Sequence, residues 1–202
     1  MAERGVDAVS LREINSAADQ RNASGVQYHF HNRLGLVMAV IERHMTAVDE
    51  RRNRLLDELD PLDTTPATVL RALVQPLADE LASPSGRRYL RILHDLFSRP
   101  QSDAARGSIL SMNRGLRRVR TVLAVVLADL PVTVRQARTS LCVIVLLAAL
   151  ADEARIIDEQ PGADRLRGPL FVSNLVDVMA GLLTAAASNE TRRLAAEAAG
   201  ES

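Results

Sequence analysis

Ser10-Leu11-Arg12-Glu13-Ile14, followed by Ala17-Ala18 and then Val26-Gln27-Tyr28-His29-Phe30, is the stretch on which the fold turns. Ser10 and Glu13 have the spacing of a capping box. The serine hydroxyl takes the backbone N–H of the third helical residue while the glutamate side chain reaches back, so a helix starts at Leu11 and runs to about Ala18. Asp19 to Gly25 is polar and turn-rich, and Val26 to Phe30 completes a second short helix. Two short helices with so brief a break predict a helix-turn-helix, with Val9, Ile14, Val26 and Phe30 as the small core that sets their angle.

Outward from this unit the apolar spacing stays helical, and no alternating pattern bounded by hairpin turns occurs. Asn32 is an N-cap for a long helix that carries Val37, Val40, Ile41, His44, Met45 and Val48 on one face and ends before Pro61. Thr65-Pro66 opens the next helix, to about Leu81, with Pro76 as a kink. Ser83-Pro84-Ser85-Gly86 breaks the chain before a helix over Arg88 to Phe97. The pattern then predicts three more, over Asp103 to Asp129, Val132 to Asp158, and Leu170 to Glu197. The middle one is apolar nearly all round, which predicts that the last two long helices find cover in a second copy of the chain. The expected fold is therefore all-α, an N-terminal helix-turn-helix domain followed by a helical ligand-binding and dimerisation domain.

Composition narrows the function classes. The 202 residues are 47% hydrophobic with 25 basic and 25 acidic side chains, so a folded core is expected and generic affinity for polyanions is not. Every basic residue is arginine. Over residues 1–54 eight arginines face seven carboxylates, so any contact with nucleic acid must come from a few well-placed side chains. The single cysteine, Cys142, lies between Leu141 and Val143; it excludes an intramolecular disulfide and reads as a buried thiol in a reducing compartment. Met1 to Arg4 has no apolar signal region, and the most apolar run, Leu141 to Ala151, falls well short of a bilayer span. The expectation is a cytoplasmic chain without a membrane segment.

Gly5, the Ser10–Ala18 segment, the Tyr28-His29-Phe30 cluster and Arg33 together resemble the DNA-binding domain of the tetracycline-repressor (TetR) family of bacterial regulators. The motif-specific likeness covers about residues 2–44. In that family a glycine ends the first helix, a segment like Ser10–Ala18 is the support helix, and the aromatic cluster closes the recognition helix. Only Met1 to Arg4 precede Gly5, so the resemblance implies that the first helix of the domain is largely missing. It divides the chain into a DNA-binding domain at residues 1–45, truncated at its N-terminus, and an effector-binding and dimerisation domain at 46–202.

The residue chemistry agrees with that division. Asn22, Ser24 and Gln27 offer donors and acceptors to base edges, and Arg21 reaches phosphate or guanine. Tyr28, Arg33 and Arg12 suit phosphate contacts that set register, and His29 lies beside them. The same residues also read as ordinary core and a solvated loop when taken one at a time. In the C-terminal part Tyr89, His94, Phe97, Met112 and Arg114 offer an apolar wall with a few polar groups, a pocket for a small, apolar effector. Arg114, Arg117, Arg118 and Arg120 sit at helical spacing, as a salt-bridged face or as a site for an anionic ligand.

Catalytic and metal chemistry find no support in the pattern. There is no phosphate-binding glycine-lysine loop, no dinucleotide fingerprint and no His-Glu-x-x-His. His29, His31, His44 and His94 lack metal-ligand spacing, and His44 and Asp49 are too far round the helix to form a dyad. Neither a cofactor nor a metal is implied. The expected function is that of a homodimeric, ligand-responsive repressor on a pseudopalindromic double-stranded DNA operator. The rival is a helical ligand-binding dimer that has lost DNA binding.

Overall fold

The computed structural model describes residues 33–60, 64–98, 107, 109, 113–160 and 166–200. The helix-turn-helix and its DNA-facing residues Arg12, Arg21, Asn22, Ser24, Gln27, Tyr28 and His29 lie outside these, as does Met112. All regular structure among the described residues is helical. The main helices are α1 (Arg33–Asp57), α2 (Pro66–Ala78), α3 (Pro84–Phe97), α4 (Arg114–Val126), α5 (Val132–Glu159), α6 (Gly168–Thr184) and α7 (Asn189–Gly200).

Two of the starts are written in the sequence as cap plus proline. Thr65 accepts from the Thr68 N–H while its own N–H donates to the Thr68 hydroxyl, and Pro66 follows as a first-turn residue whose missing N–H costs nothing. Ser83 accepts from the Gly86 N–H with Pro84 behind it, so α3 starts four residues earlier than Arg88, inside the segment expected to be only a break. Pro76 near the end of α2 is followed by a 3-10 turn at Asp79–Ala82 instead of α-helix to Leu81. Gly86 is required there: a Cβ would sit 2.1 Å from the Glu80 carbonyl oxygen.

Two expected helices are interrupted. Gly107 and Ile109 are helical, but Asn113 is extended (φ −91°, ψ 104°), so the run from Asp103 to Asp129 is not one helix. The Asn113 side chain is buried, donating to the Ile109 carbonyl at 2.8 Å and contacting the Met45 sulfur. The last long helix likewise stops at Thr184, and α7 leaves at 65°. Arg138 of α5 takes the Leu183 and Ala185 carbonyls at that end, and Ser188 accepts the Thr191 N–H to begin α7.

The core is one apolar cluster shared by α1 to α6. α2 packs against α1, α4 and α6, while α5 packs on α3 and α6. Val69, Leu70, Leu150, Met179 and Leu183 are wholly buried, each worth about 1.5–3 kcal/mol of transfer free energy. No single helix among the described residues is long and apolar enough to cross a membrane.

Candidate functional site

A cleft of about 720 Å³ opens between α2, α4 and α5. Leu70 and Leu73, one turn apart on α2, form part of its floor, joined by Val119 and Leu123 of α4 and by Cys142 and Val143 of α5. Its polar lining is basic or neutral: Arg117, Arg120 and Thr121 from α4, and Arg135, Gln136, Thr139 and Ser140 from α5. Among the described residues no carboxylate lines it.

The position of α4 follows from its grip on α1. Its first turn has no side-chain cap of its own, and Asp49 of α1 supplies one, both carboxylate oxygens lying 3.1 Å from the Gly115 N–H. A carboxylate there also meets the positive end of the helix dipole. The same carboxylate holds Arg52 at 2.9 Å and accepts from the Asn53 amide. Arg52 is only 2% exposed; burial pulls its guanidinium below the ordinary value, and the Asp49 charge opposes that pull. One turn further along α4, Arg118 donates to the Asn53 carbonyl and side chain and pairs with Asp57 at 2.7 Å.

On the cleft side, Arg135 donates to the Ala124 carbonyl at 3.2 Å and so ties α5 to the end of α4. The Thr121 and Thr139 hydroxyls donate to the carbonyls of Arg117 and Arg135 within their own helices. Cys142 faces the cleft from a buried position, and its S–H donates to the Met179 carbonyl at 3.7 Å. Burial pushes its thiol up to about 11, which leaves it protonated and unreactive near neutrality.

Of the residues expected to form the pocket, the described ones, Tyr89, His94, Phe97 and Arg114, do not line the cleft. Tyr89 is buried with its ring stacked on His44 at 4.8 Å between centroids. Burial raises its phenol well above the ordinary value. His94 reaches Ser98 at the end of α3, and Phe97 packs on the core. Arg114 is exposed and lines a separate, smaller groove with Arg117, Arg118, Thr121 and Val122. Arg33 is the first residue of α1. His44 pairs across the fold with Glu80 at 2.7 Å, a carboxylate that also takes Arg51. Sequence spacing identified Arg117 and Arg120 as part of a basic face, and missed Arg135, Gln136 and Ser140, which reach the cleft because α5 lines it together with α2 and α4.

Residues 71–181, more than half of the chain, match the model of the family described as Tetracyclin repressor-like, C-terminal domain. The chain belongs to the tetracycline-repressor-like family. The match spans all of α3, α4 and α5 and most of α2 and α6, so the cleft lies almost wholly inside the TetR-like domain. No curated protein matches this TetR-like chain.

Proposed function

We propose that this TetR-family regulator is a homodimeric transcriptional repressor whose DNA affinity responds to a small molecule held in the cleft. Residues 1–45 form the DNA-binding domain and residues 46–202 the effector-binding and dimerisation domain. The observation that carries the reading is the matched domain itself, with a cleft lined by α4, which packs on α1, the helix that leads out of the N-terminal region. α1 begins at Arg33 and ends at Asp57, so it runs from the DNA-binding domain into the fold that contains the cleft.

Exposed apolar side chains on α5 and α6 support the dimer. The two helices pack on each other, yet Leu141 and Ile144 of α5 and Leu170 and Val178 of α6 stay in water, Ile144 at 60% exposure. Large apolar side chains left out on paired helices favour burial against a second copy. Two heads related by the dimer axis then address successive major grooves of a pseudopalindromic site, with Asn22, Ser24 and Gln27 at base edges and Arg12, Arg21, Tyr28, His29 and Arg33 at or near phosphates. Ligand acts only through its differential affinity for the DNA-competent and DNA-incompetent states. No catalytic step is part of this reading.

Fluorescence anisotropy of the purified chain on DNA from its own promoter region, over a salt series, tests it. The expected result is sequence-selective binding that weakens steeply with salt, from a protein that sediments as a dimer. Binding indifferent to DNA sequence and to salt overturns the regulator and leaves a DNA-free ligand-binding dimer.

A further inference from the structure

We propose that the cleft takes an amphipathic anion: an apolar chain ending in a carboxylate or phosphate head. The inference rests on the effector reading above and corrects one part of it, since a purely apolar effector leaves the strongest feature of the lining unused. That feature is three guanidiniums, Arg117, Arg120 and Arg135, beside an apolar floor, with no carboxylate among the described lining residues. The whole chain is balanced at 25 basic and 25 acidic residues, so three arginines lining one cleft are a local concentration of positive charge.

The donor chemistry selects the head group. Arg117 and Arg120 are three apart and share one face of α4, and Arg135 approaches from α5. Guanidinium offers only donors, in a fork that fits two oxygens of one carboxylate or phosphate. Arg120 makes no hydrogen bond or ion pair among the described residues. Arg135 spends one N–H on the Ala124 carbonyl. The Thr121 and Thr139 protons are spent inside their helices, so the remaining lining donors are Gln136 and Ser140. A cation meets like charge here, and a neutral polar ligand leaves the Arg120 guanidinium unmatched. An apolar tail gains by covering Leu116, Ala124 and Val143, the apolar lining residues that still meet water, in a volume suited to a small ligand.

The test is titration calorimetry of the full chain with four probes below their micelle concentrations: decanoate, decyl phosphate, decanol and inorganic phosphate. Decanoate, decyl phosphate or both are expected to bind, and which does so identifies the head. Decanol is expected to bind about tenfold or more weakly than the better anion, and inorganic phosphate not measurably. Arg120→Gln is expected to weaken the anions about tenfold with decanol unchanged, and Arg120→Lys to restore part of the loss. Because Arg120 is exposed, these variants keep the fold, which circular dichroism checks. Equal affinity for decanoate, decyl phosphate and decanol, no response to Arg120→Gln, or no binding by either anion overturns the proposal.

Operator binding is followed on the same preparations. Operator binding without anion selectivity overturns the anion assignment alone. Anion binding without operator binding overturns the regulator alone.

Discussion

Gly115 shows how much rests on one missing side chain. A Cβ at this position would lie 2.7 Å from the Asp49 Oδ1 and 3.0 Å from the Arg52 side chain, and Asp49 cannot simply turn away because it also holds Arg52 and Asn53. Gly115→Ala therefore trades a small gain in helix propensity for overpacking and a displaced cap, with an expected net loss of about 1–2 kcal/mol. The urea midpoint measures it, and a midpoint that rises contradicts this account of how α4 is seated. Cys142 and Tyr89 make the second residue-scale prediction. Both hold their protons more tightly folded than unfolded: the Cys142 contribution, at about 11 against an ordinary 9.0, is complete below pH 9 and is lost as pH climbs toward 11, and that of Tyr89 begins to be lost only above its ordinary 10.0. The thermal midpoint should fall across that alkaline window, and Cys142→Ala should fall less steeply than the parent. Matching slopes for the two proteins would remove Cys142 from the cause.

Helix boundaries divide into those that local chemistry sets and those that packing sets, and this division decides what the sequence made legible. Thr65-Pro66 and Ser83-Pro84 carry their start signals within four residues, so both caps are readable in the sequence, although the second also reads as a chain break. The interruption at Asn113 is not, because nothing local demands it: it exists because Asn113 is drawn into the core and Asp49, far away in the chain, caps the helix that follows. The stop at Thr184 depends in the same way on Arg138 reaching over from α5. The cleft obeys this rule too. Two of its arginines lay on a visible basic face, whereas the expected Tyr89 turned inward onto His44 because a phenol ring gains more from full burial than from a cleft wall. The local class of boundary makes a clean prediction. Thr65→Ala removes the hydroxyl that accepts the Thr68 N–H, leaves the Thr65 N–H on the Thr68 hydroxyl, and should cost about 1 kcal/mol in urea unfolding, while Thr65→Ser should keep most of it. Equal losses in the two variants would mean that the threonine methyl, not the cap, stabilises α2.

At the scale of the whole molecule the question is how occupancy of the cleft reaches the N-terminal region. α4 presents Arg117 and Arg120 to the cleft and Arg118 to α1, where it bonds Asn53 and Asp57. A head group that draws Arg117 and Arg120 toward α5 therefore loads the same rigid helix that grips α1 through Arg118 and the Asp49 cap. Linkage requires that whatever factor the anion takes from operator affinity, the operator takes from anion affinity, with typical couplings of about 5- to 150-fold. Arg118→Gln loosens the grip without touching the cleft lining, so decanoate affinity of the free protein should stay within about twofold of the parent while the coupling factor shrinks severalfold. Anisotropy titrations of operator with and without saturating decanoate read the factor directly. A coupling factor unchanged by Arg118→Gln would shift the transmission to the Asp49–Gly115 cap, because that is the other polar tie between α1 and the start of α4.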